Sequence, residues 1–484
     1  MAKLTQISRL LGADLDERFS DHEVDFITCR SSESRANAIF AALRGERTDG
    51  HKFAADAFDN GARAFILEHA VPLPPDAAEI IVPDARAALS KASLFLCGDP
   101  QKKLKIIGVT GTKGKSTVVH IIKKILDLFG GAAAISTVGF SLDDVFESTE
   151  NSTPESDVIA QYLRRAVDAG KKYAVIEISS QGVKQKRVDA IDFDVGVLTN
   201  ISRDHIGRGE HKSFAEYKSC KAEFIARAKT RILNADDRYF PDFVGENAVT
   251  YGINSPADVM AGNIGSIRRG GAFLSEFDIT YKGKTLGMSV NIPGRFAVYD
   301  ALAATAACLS LGVPLEKCRD ALADFTMPGR FEKIDVSRDI DVVIDYAHNG
   351  DSLKNALIAA RELAKRRVIC VIGSVGGRTK MRRAALGRAA DRYADLIIVT
   401  SDNPNFENPL DICEDIVKNI RGDNYKVIPD REEAIGYALD IARDGDLILI
   451  AGKGHEKYQL VNGQKLPFDE REIIKSMSKT KTKV

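Results

Sequence analysis

The sequence has no net charge to work with. Lys plus Arg number 68 and Asp plus Glu number 68, a formal net charge of zero. That balance excludes a general attraction to nucleic acid or to an anionic membrane, and leaves open only a local basic pocket for a phosphorylated ligand. No apolar run approaches the roughly 18 residues needed to span a bilayer. The opening segment, MAKLTQISRLLGADLDERFS, lacks the apolar core and cleavage site of a signal peptide and reads as a short amphipathic helix. There is no CxxC pair. Seven scattered cysteines (Cys29, Cys97, Cys220, Cys308, Cys318, Cys370 and Cys413) argue against a zinc ribbon or a disulfide framework, and fit a reducing cytoplasm. Repeats and long low-complexity linkers are missing too. The closing KSMSKTKTKV is polar and basic, and is expected to fray.

What is present is a chain of 484 residues, 44% hydrophobic and 28% charged. That is a soluble globular mix, and the length exceeds one ordinary core, suggesting about three domains. Residues up to about 100 carry strand-like runs at Ala64 to Glu68 and Glu79 to Val82, and end at the turn signal Cys97-Gly-Asp-Pro100. From Leu104, short apolar strands alternate with amphipathic helices. Lys105 to Val109, Tyr173 to Ile178 and Asp194 to Thr199 are nearly continuous apolar runs, as in strands buried on both faces of a parallel sheet. The alternation restarts after Met327-Pro-Gly-Arg330, with strands at Val342 to Asp345, Val368 to Ile372, Leu396 to Thr400 and Leu447 to Ile450. The expected architecture is α/β: a segment over 1–100, a central mostly parallel sheet of P-loop type over 101–329, and a Rossmann-like domain over 330–484. Ligands of such sheets bind at the carboxyl ends of the strands.

One loop carries chemistry by itself. Lys105 to Val109 runs into Thr110-Gly-Thr-Lys-Gly-Lys-Ser-Thr117, and a helix is expected from Val118 to Phe129. Strand, glycine-rich turn and helix form the context of a nucleotide phosphate site. Gly111 and Gly114 let backbone N–H groups close on phosphate oxygens, and the helix N-terminus adds positive partial charge. Lys115 can reach the β- and γ-phosphates, and Ser116 can ligate Mg²⁺. Val109 stands where the longer Walker loop has glycine, so this is the short GxxGK[ST] form.

The loop, read as TGTKGKST, resembles that of the Mur ligases, the ATP-dependent amide ligases of the peptidoglycan pathway. Further blocks follow in that family's order: STPES, EISSQGVKQKRV, FDVGVLTNISRDH, YKSCKAEF, GRFAVYDALAA, MPGR, DYAHNGDSL, GSVGGRTKMRR, SDNPN and AGKGHE. Within the family, SDNPN and AGKGHE look like the tripeptide synthetases. The resemblance implies three domains that bind a UDP-sugar, ATP and an amino acid. It implies transfer of the ATP γ-phosphoryl group to the carboxylate of UDP-N-acetylmuramoyl-L-alanyl-D-glutamate. The amine of a diamino acid then displaces phosphate from the acyl phosphate.

By the same resemblance, Gly111, Thr112, Lys113, Gly114, Lys115, Ser116 and Thr117 hold ATP, together with Arg330, Asp345 and His348. Glu177, His205 and Ser116 are implied Mg²⁺ ligands, and Lys221 a lysine carbamoylated by CO₂. A carbamate would reverse the lysine's sign and offer the oxygen ligands Mg²⁺ prefers. Ser31, Thr48 and Asp49 match uridine contacts. Ser152, Thr153, Ser179, Gln185 and Arg187 match contacts to the muramoyl peptide, Arg187 with a guanidinium suited to phosphate or carboxylate. Arg378, Asp402, Asn403, Pro404, Asn405, Gly452 and Glu456 match the amino-acid site. Members that add meso-diaminopimelate carry DNPR where this chain has Asp402-Asn-Pro-Asn405. A neutral Asn405 removes the partner of a distal carboxylate, and Asp402 and Glu456 offer anions to a distal ammonium. L-lysine is the expected substrate on that ground, with meso-diaminopimelate or another diamino acid as the alternative. A monomer with small-molecule partners alone is expected. The chain departs from the family pattern at Arg30, Gln181, Ala297 and Asp300. Two rivals remain in view: a folylpolyglutamate synthetase-like ligase, which would lack the N-terminal segment, and a nucleotide-binding regulator that has lost catalysis.

Overall fold

The structure, a computed structural model, describes residues 1–480 apart from 46, 47, 204, 205, 208, 209 and 378. It divides into two compact units, Met1–Met260 with Leu302–Cys318, and Ala261–Ala301 with Arg319–Val484.

The first unit holds two sheets. Four parallel strands, Phe26–Thr28, Ala38–Ala41, Ala64–Leu67 and Ala78–Ile81, form the smaller one. The apolar helix Ala85–Leu96 covers it, capped by Asp84 accepting from the Ala87 N–H. Ala85, Ala88, Leu89 and Ala92 pack with Ile39, Ile66 and Ile80 into one core. The opening segment does form an amphipathic helix, Leu4–Leu11. The larger sheet runs Ala132–Ile135, Tyr173–Glu177, Lys105–Thr110, Val195–Leu198, Thr230–Asn234, Ala248–Gly252, all parallel. At its edge Phe140–Leu142 and Val145–Glu147 pair antiparallel. Ile106, Ile107 and Val109 are fully buried, as a strand covered on both faces requires.

Polar groups tie residues 1–100 to the larger sheet's segment. Arg86 faces Glu155 at 3.5 Å, Lys186 reaches Asp84 at 2.5 Å, and Arg30 reaches Glu150 at 2.8 Å. The two sheets thus share one compact unit.

The second unit centres on a six-stranded sheet ordered Glu332–Ile334, Asp341–Asp345, Leu447–Ala451, Val368–Ile372, Leu396–Val399, Tyr425–Val427. It is parallel except for the first strand. Sequence patterning missed the antiparallel pair Ala272–Tyr281 and Lys284–Val290. Its alternation is blurred because many of its residues are only half-buried. The tail expected to fray is helical as far as it is described: Glu470–Thr480 is a helix, with Ile474 buried and Met477 packed on the core, and 481–484 lie outside the described residues.

Candidate functional site

The phosphate loop is built by a close approach of two strand ends. Gly111 has φ +147°, and a Cβ there would lie 1.9 Å from Thr199 Oγ1. Only glycine lets the loop pass Thr199. Behind it, Asn200 accepts from the Thr112 N–H through its carbonyl (2.8 Å) and from the Lys113 N–H through Oδ1 (3.0 Å). Thr199 donates to the Lys113 carbonyl at 2.5 Å. Gly114, at φ +82°, caps the helix Lys115–Asp127, which begins three residues earlier than patterning suggested. The first helical N–H groups lie in Lys115, Ser116 and Thr117, where an anion is favoured.

Glu177 lies at the end of its strand and is 2% exposed. An ionised carboxylate in that place needs donors, and it has them. Ser116 Oγ donates to Oε2 at 2.7 Å, and Thr137 donates through its N–H and its hydroxyl, both at 3.0 Å. Lys115 Nζ stands 3.8 Å from Oε1. Thr137, not singled out from sequence, is also hydrogen-bonded through its hydroxyl to that of Ser152, at 2.6 Å. Its only signal was a Ser-Thr pair after an apolar run. Thr153 donates to the Glu177 carbonyl (2.8 Å), and its hydroxyl accepts from the Ser179 N–H (2.9 Å). Ser152, Thr153 and Ser179 therefore gather at one strand end with Glu177 and Ser116.

Arg187 is engaged by protein groups: it donates to the Thr153 carbonyl at 2.8 Å and pairs with Glu155 at 2.8 Å. Gln185 follows the short helix Ser180–Lys184 as its cap. Lys221 is buried, donating to the Gly111 carbonyl at 2.8 Å and to Thr110 Oγ1 at 3.2 Å. Its amine therefore touches the phosphate loop and does not lie on a solvated helix face. Among the described residues no three His, Cys, Asp or Glu side chains cluster as a metal site. His205 and Arg378 lie outside the described residues. Hard oxygen donors for Mg²⁺ are nonetheless in place on Ser116 and Glu177.

Near the N-terminus, Asp49 caps the turn Gly50–Phe53, accepting from the His51 N–H (3.1 Å) and from His51 Nδ1 (2.6 Å). The His51 bond holds its carboxyl below the usual range. Since His51 Nε2 takes the Glu68 N–H, the ring proton sits on Nδ1. The Thr48 carbonyl accepts from the Gly45 N–H, and that of Ser31 from Asn60.

In the second unit the Met327 to Arg330 turn lies against Gly454. A Cβ on Gly329 would stand 2.2 Å from the His455 nitrogen. Arg330 covers the Tyr346 ring at 5.1 Å. Asp345 is 5% exposed and accepts from the Phe331 N–H at 2.7 Å; burial pushes its carboxyl up, and Arg330 opposes this. The Asp345 carbonyl accepts from Gly452, and His348 Nδ1 lies 2.9 Å from the Tyr346 carbonyl. Arg330, Asp345, His348 and Gly452 thus belong to one cluster of loops.

Asn403 joins the two expected amino-acid loops, donating to Glu456 (2.9 Å) and accepting from Lys453 (2.8 Å). Lys453 is fully buried and also faces Asp402 at 3.6 Å. It lies inside AGKGHE but was given no role from sequence. The Pro404 carbonyl packs so tightly on Gly376 that a Cβ there would meet it at 1.9 Å. Asn405 is left-handed, φ +53°, and its Oδ1 accepts from the Gly463 N–H at 2.9 Å. That bond ties Asn405 to the hairpin Tyr458–Val461 and Gln464–Pro467.

A strand, a positive-φ glycine turn and a helix start, with a buried lysine and glutamate beside them, have the geometry that suits a nucleotide phosphate on an α/β sheet. The family follows from comparison with known proteins. Three family profiles match in order: "Mur ligase family, catalytic domain" over residues 23–94, "Mur ligase middle domain" over 109–308, and "Mur ligase, glutamate ligase domain" over 329–454. The UDP-N-acetylmuramoyl-L-alanyl-D-glutamate–2,6-diaminopimelate ligase of Caldanaerobacter subterraneus subsp. tengcongensis is 38% identical over 92% of this chain and 93% of its own length. The corresponding ligase of Geobacillus thermodenitrificans is 38% identical over 98% and 99%. A solved structure of a ligase with that name superposes with TM-score 0.70, at 26% identity and 99% coverage of each chain. The chain therefore belongs to the Mur ligase family, whose members are ATP-dependent, ADP-forming ligases. Its fold is their three-domain α/β architecture. The N-terminal match over 23–94 speaks against a folylpolyglutamate synthetase-like chain. The lysine expectation is not supported by the relatives, whose names carry 2,6-diaminopimelate.

Proposed function

We propose that the protein joins 2,6-diaminopimelate to UDP-N-acetylmuramoyl-L-alanyl-D-glutamate in peptidoglycan synthesis, with domains meeting near residues 100 and 329. The observation that carries the ligase reading is the Lys115–Ser116–Glu177 cluster at the phosphate loop. A carboxylate does not condense with an amine at neutral pH. ATP supplies the leaving group: the acceptor carboxylate attacks the γ-phosphorus, ADP departs, and an acyl phosphate results. The amine attacks its carbonyl carbon, the C–O bond to phosphate breaks, and an amide, inorganic phosphate and a proton are released. Phosphoryl transfer is catalysed by positioning and charge neutralisation. Lys115 and the helix N–H groups face the phosphates, while Gly111 fixes their approach. Ser116 and Glu177, with His205, would hold Mg²⁺, which when bound neutralises phosphate charge. Lys221, buried against Gly111, would offer oxygen ligands to that Mg²⁺ if carbamoylated by CO₂. Arg330, Asp345 and His348 would contact ATP by the family resemblance; Arg378, Asp402, Asn403, Gly452 and Glu456 would receive the amino acid. Ser31, Thr48 and Asp49 hold the uridine end.

Names of relatives at 38% identity favour diaminopimelate. Asn405 is compatible with it. Its Oδ1 accepts from the Gly463 N–H, and an amide Nδ2 is a donor of the kind a distal carboxylate takes. One observation favours L-lysine instead: Asn405 is neutral, while Asp402 and Glu456, carboxyl side chains of the same two loops, are linked through Asn403 and Lys453. Product formation with each amino acid, read by mass, decides. A higher kcat/KM with meso-diaminopimelate supports the proposal, and a higher value with L-lysine overturns the substrate assignment.

A further inference from the structure

Arg431 is 1% exposed and opens the helix Arg431–Ile441. A cation at a helix N-terminus meets the positive end of the helix dipole, and a buried cation loses its water. Both costs are offset by three bonds. Nη1 donates to the Ser401 carbonyl at 3.0 Å, Nη2 to the Ala451 carbonyl at 2.9 Å, and Nε to Glu470 Oε1 at 2.7 Å. Ala451 ends the strand Leu447–Ala451, and Ser401 lies two residues past the strand Leu396–Val399, with Val368–Ile372 between the two strands in the sheet. The next residues along the chain, Asp402 and Gly452, open the two loops assigned to the amino acid. These loops touch: a Cβ on Gly452 would lie 2.7 Å from Asp402 Oδ2 and 3.8 Å from Arg431 Nη2. Asp402 is itself 2% exposed, with Oδ1 lacking a hydrogen-bond donor. Lys453 Nζ faces that oxygen at 3.6 Å.

From this geometry we infer that Arg431 is a positioning residue for the amino-acid site: its planar guanidinium sets the spacing of the 402–405 and 452–456 loops, and Glu470 holds the guanidinium in that plane. The inference rests on the proposed function. A lysine keeps the charge but has one nitrogen, and cannot reach both carbonyls and Glu470 in the fixed fork geometry. A glutamine at 470 keeps an acceptor for Nε and removes the charge.

The test measures KM for the amino acid, ATP and the UDP-muramoyl dipeptide separately, with circular dichroism as a folding control, in wild type, Arg431→Lys and Glu470→Gln. Arg431→Lys is expected to raise the amino-acid KM about tenfold, with the ATP and dipeptide KM values within twofold of wild type. Glu470→Gln is expected to raise the amino-acid KM about threefold with the same selectivity. If Arg431→Lys does not fold, Glu470→Gln decides alone. Unchanged amino-acid KM, or equal movement of all three constants, overturns the inference and makes Arg431 a packing residue. A wild type that releases no phosphate with any diamino acid overturns the proposed function and this inference together.

Discussion

Gly111→Ala removes the geometry on which the proposed nucleotide site depends, and its cost can be worked out. The residue sits at φ +147°, and the new Cβ would lie 1.9 Å from Thr199 Oγ1 and 3.2 Å from the Asn200 nitrogen. A non-glycine residue held in that region costs about 1–3 kcal/mol. Thr199 would have to move, giving up its bond to the Lys113 carbonyl; Asn200, which braces Thr112 and Lys113, would shift with it. Each such bond is worth about 1 kcal/mol. With three such bonds the sum, about 4–6 kcal/mol, corresponds to roughly 10³–10⁴-fold weaker nucleotide binding if it falls on the loop alone. The assay is calorimetric titration with ADP. Gly170→Ala is the control, since φ there is +68° with nothing within 4 Å of the added carbon. It should cost stability of about 1 kcal/mol and leave ADP affinity unchanged. ADP affinity of Gly111→Ala within threefold of wild type would refute the reasoning.

Three other outcomes are expected. Burial lifts the Asp157 carboxyl from 3.8 to about 6. A raised folded value means the ionised form is penalised, so the penalty grows as pH rises from 3.8 and is complete above 6, at about 3 kcal/mol. Asp157→Asn should therefore raise stability to urea at pH 7.5 by up to that amount and by about half at pH 5; an equal gain at both pH values contradicts the assignment. Glu177→Gln should lower turnover by about 10²-fold or more and shift the Mg²⁺ dependence to higher concentration; an unaltered Mg²⁺ titration speaks against its proposed role. Asn405→Arg should raise the ratio of kcat/KM for meso-diaminopimelate over L-lysine by about tenfold or more, through a bidentate carboxylate contact. No change in the ratio removes position 405 from specificity.

The strands that carry the sites were legible because they are buried on both faces. Lys105–Thr110, Tyr173–Glu177 and Val368–Ile372 appear within a residue of the apolar runs that announced them. The phosphate loop was legible because its glycines are required by backbone geometry. The Ala272–Tyr281 and Lys284–Val290 pair escaped notice because it lies in a stretch read as alternating strands and helices, where half-buried residues weaken the period. Thr137, Asn200 and Arg431 were invisible for another reason. Each acts on a partner far away in sequence: Thr137 on Glu177, Asn200 on Thr112 and Lys113, Arg431 on Glu470. No local pattern encodes such contacts. Asn405 was read as a missing charge, whereas the structure also gives it a turn to hold.

Lys115 offers the most direct test of carboxylate activation at the phosphate loop. Wild type and Lys115→Ala are incubated with ATP, Mg²⁺, UDP-N-acetylmuramoyl-L-alanyl-D-glutamate and meso-diaminopimelate, and the nucleotide product is weighed by mass spectrometry against released phosphate. The expected result is one tripeptide product per phosphate in wild type, and at least about 10²-fold less of both in the variant. Equal product from Lys115→Ala would contradict activation of the carboxylate at this loop.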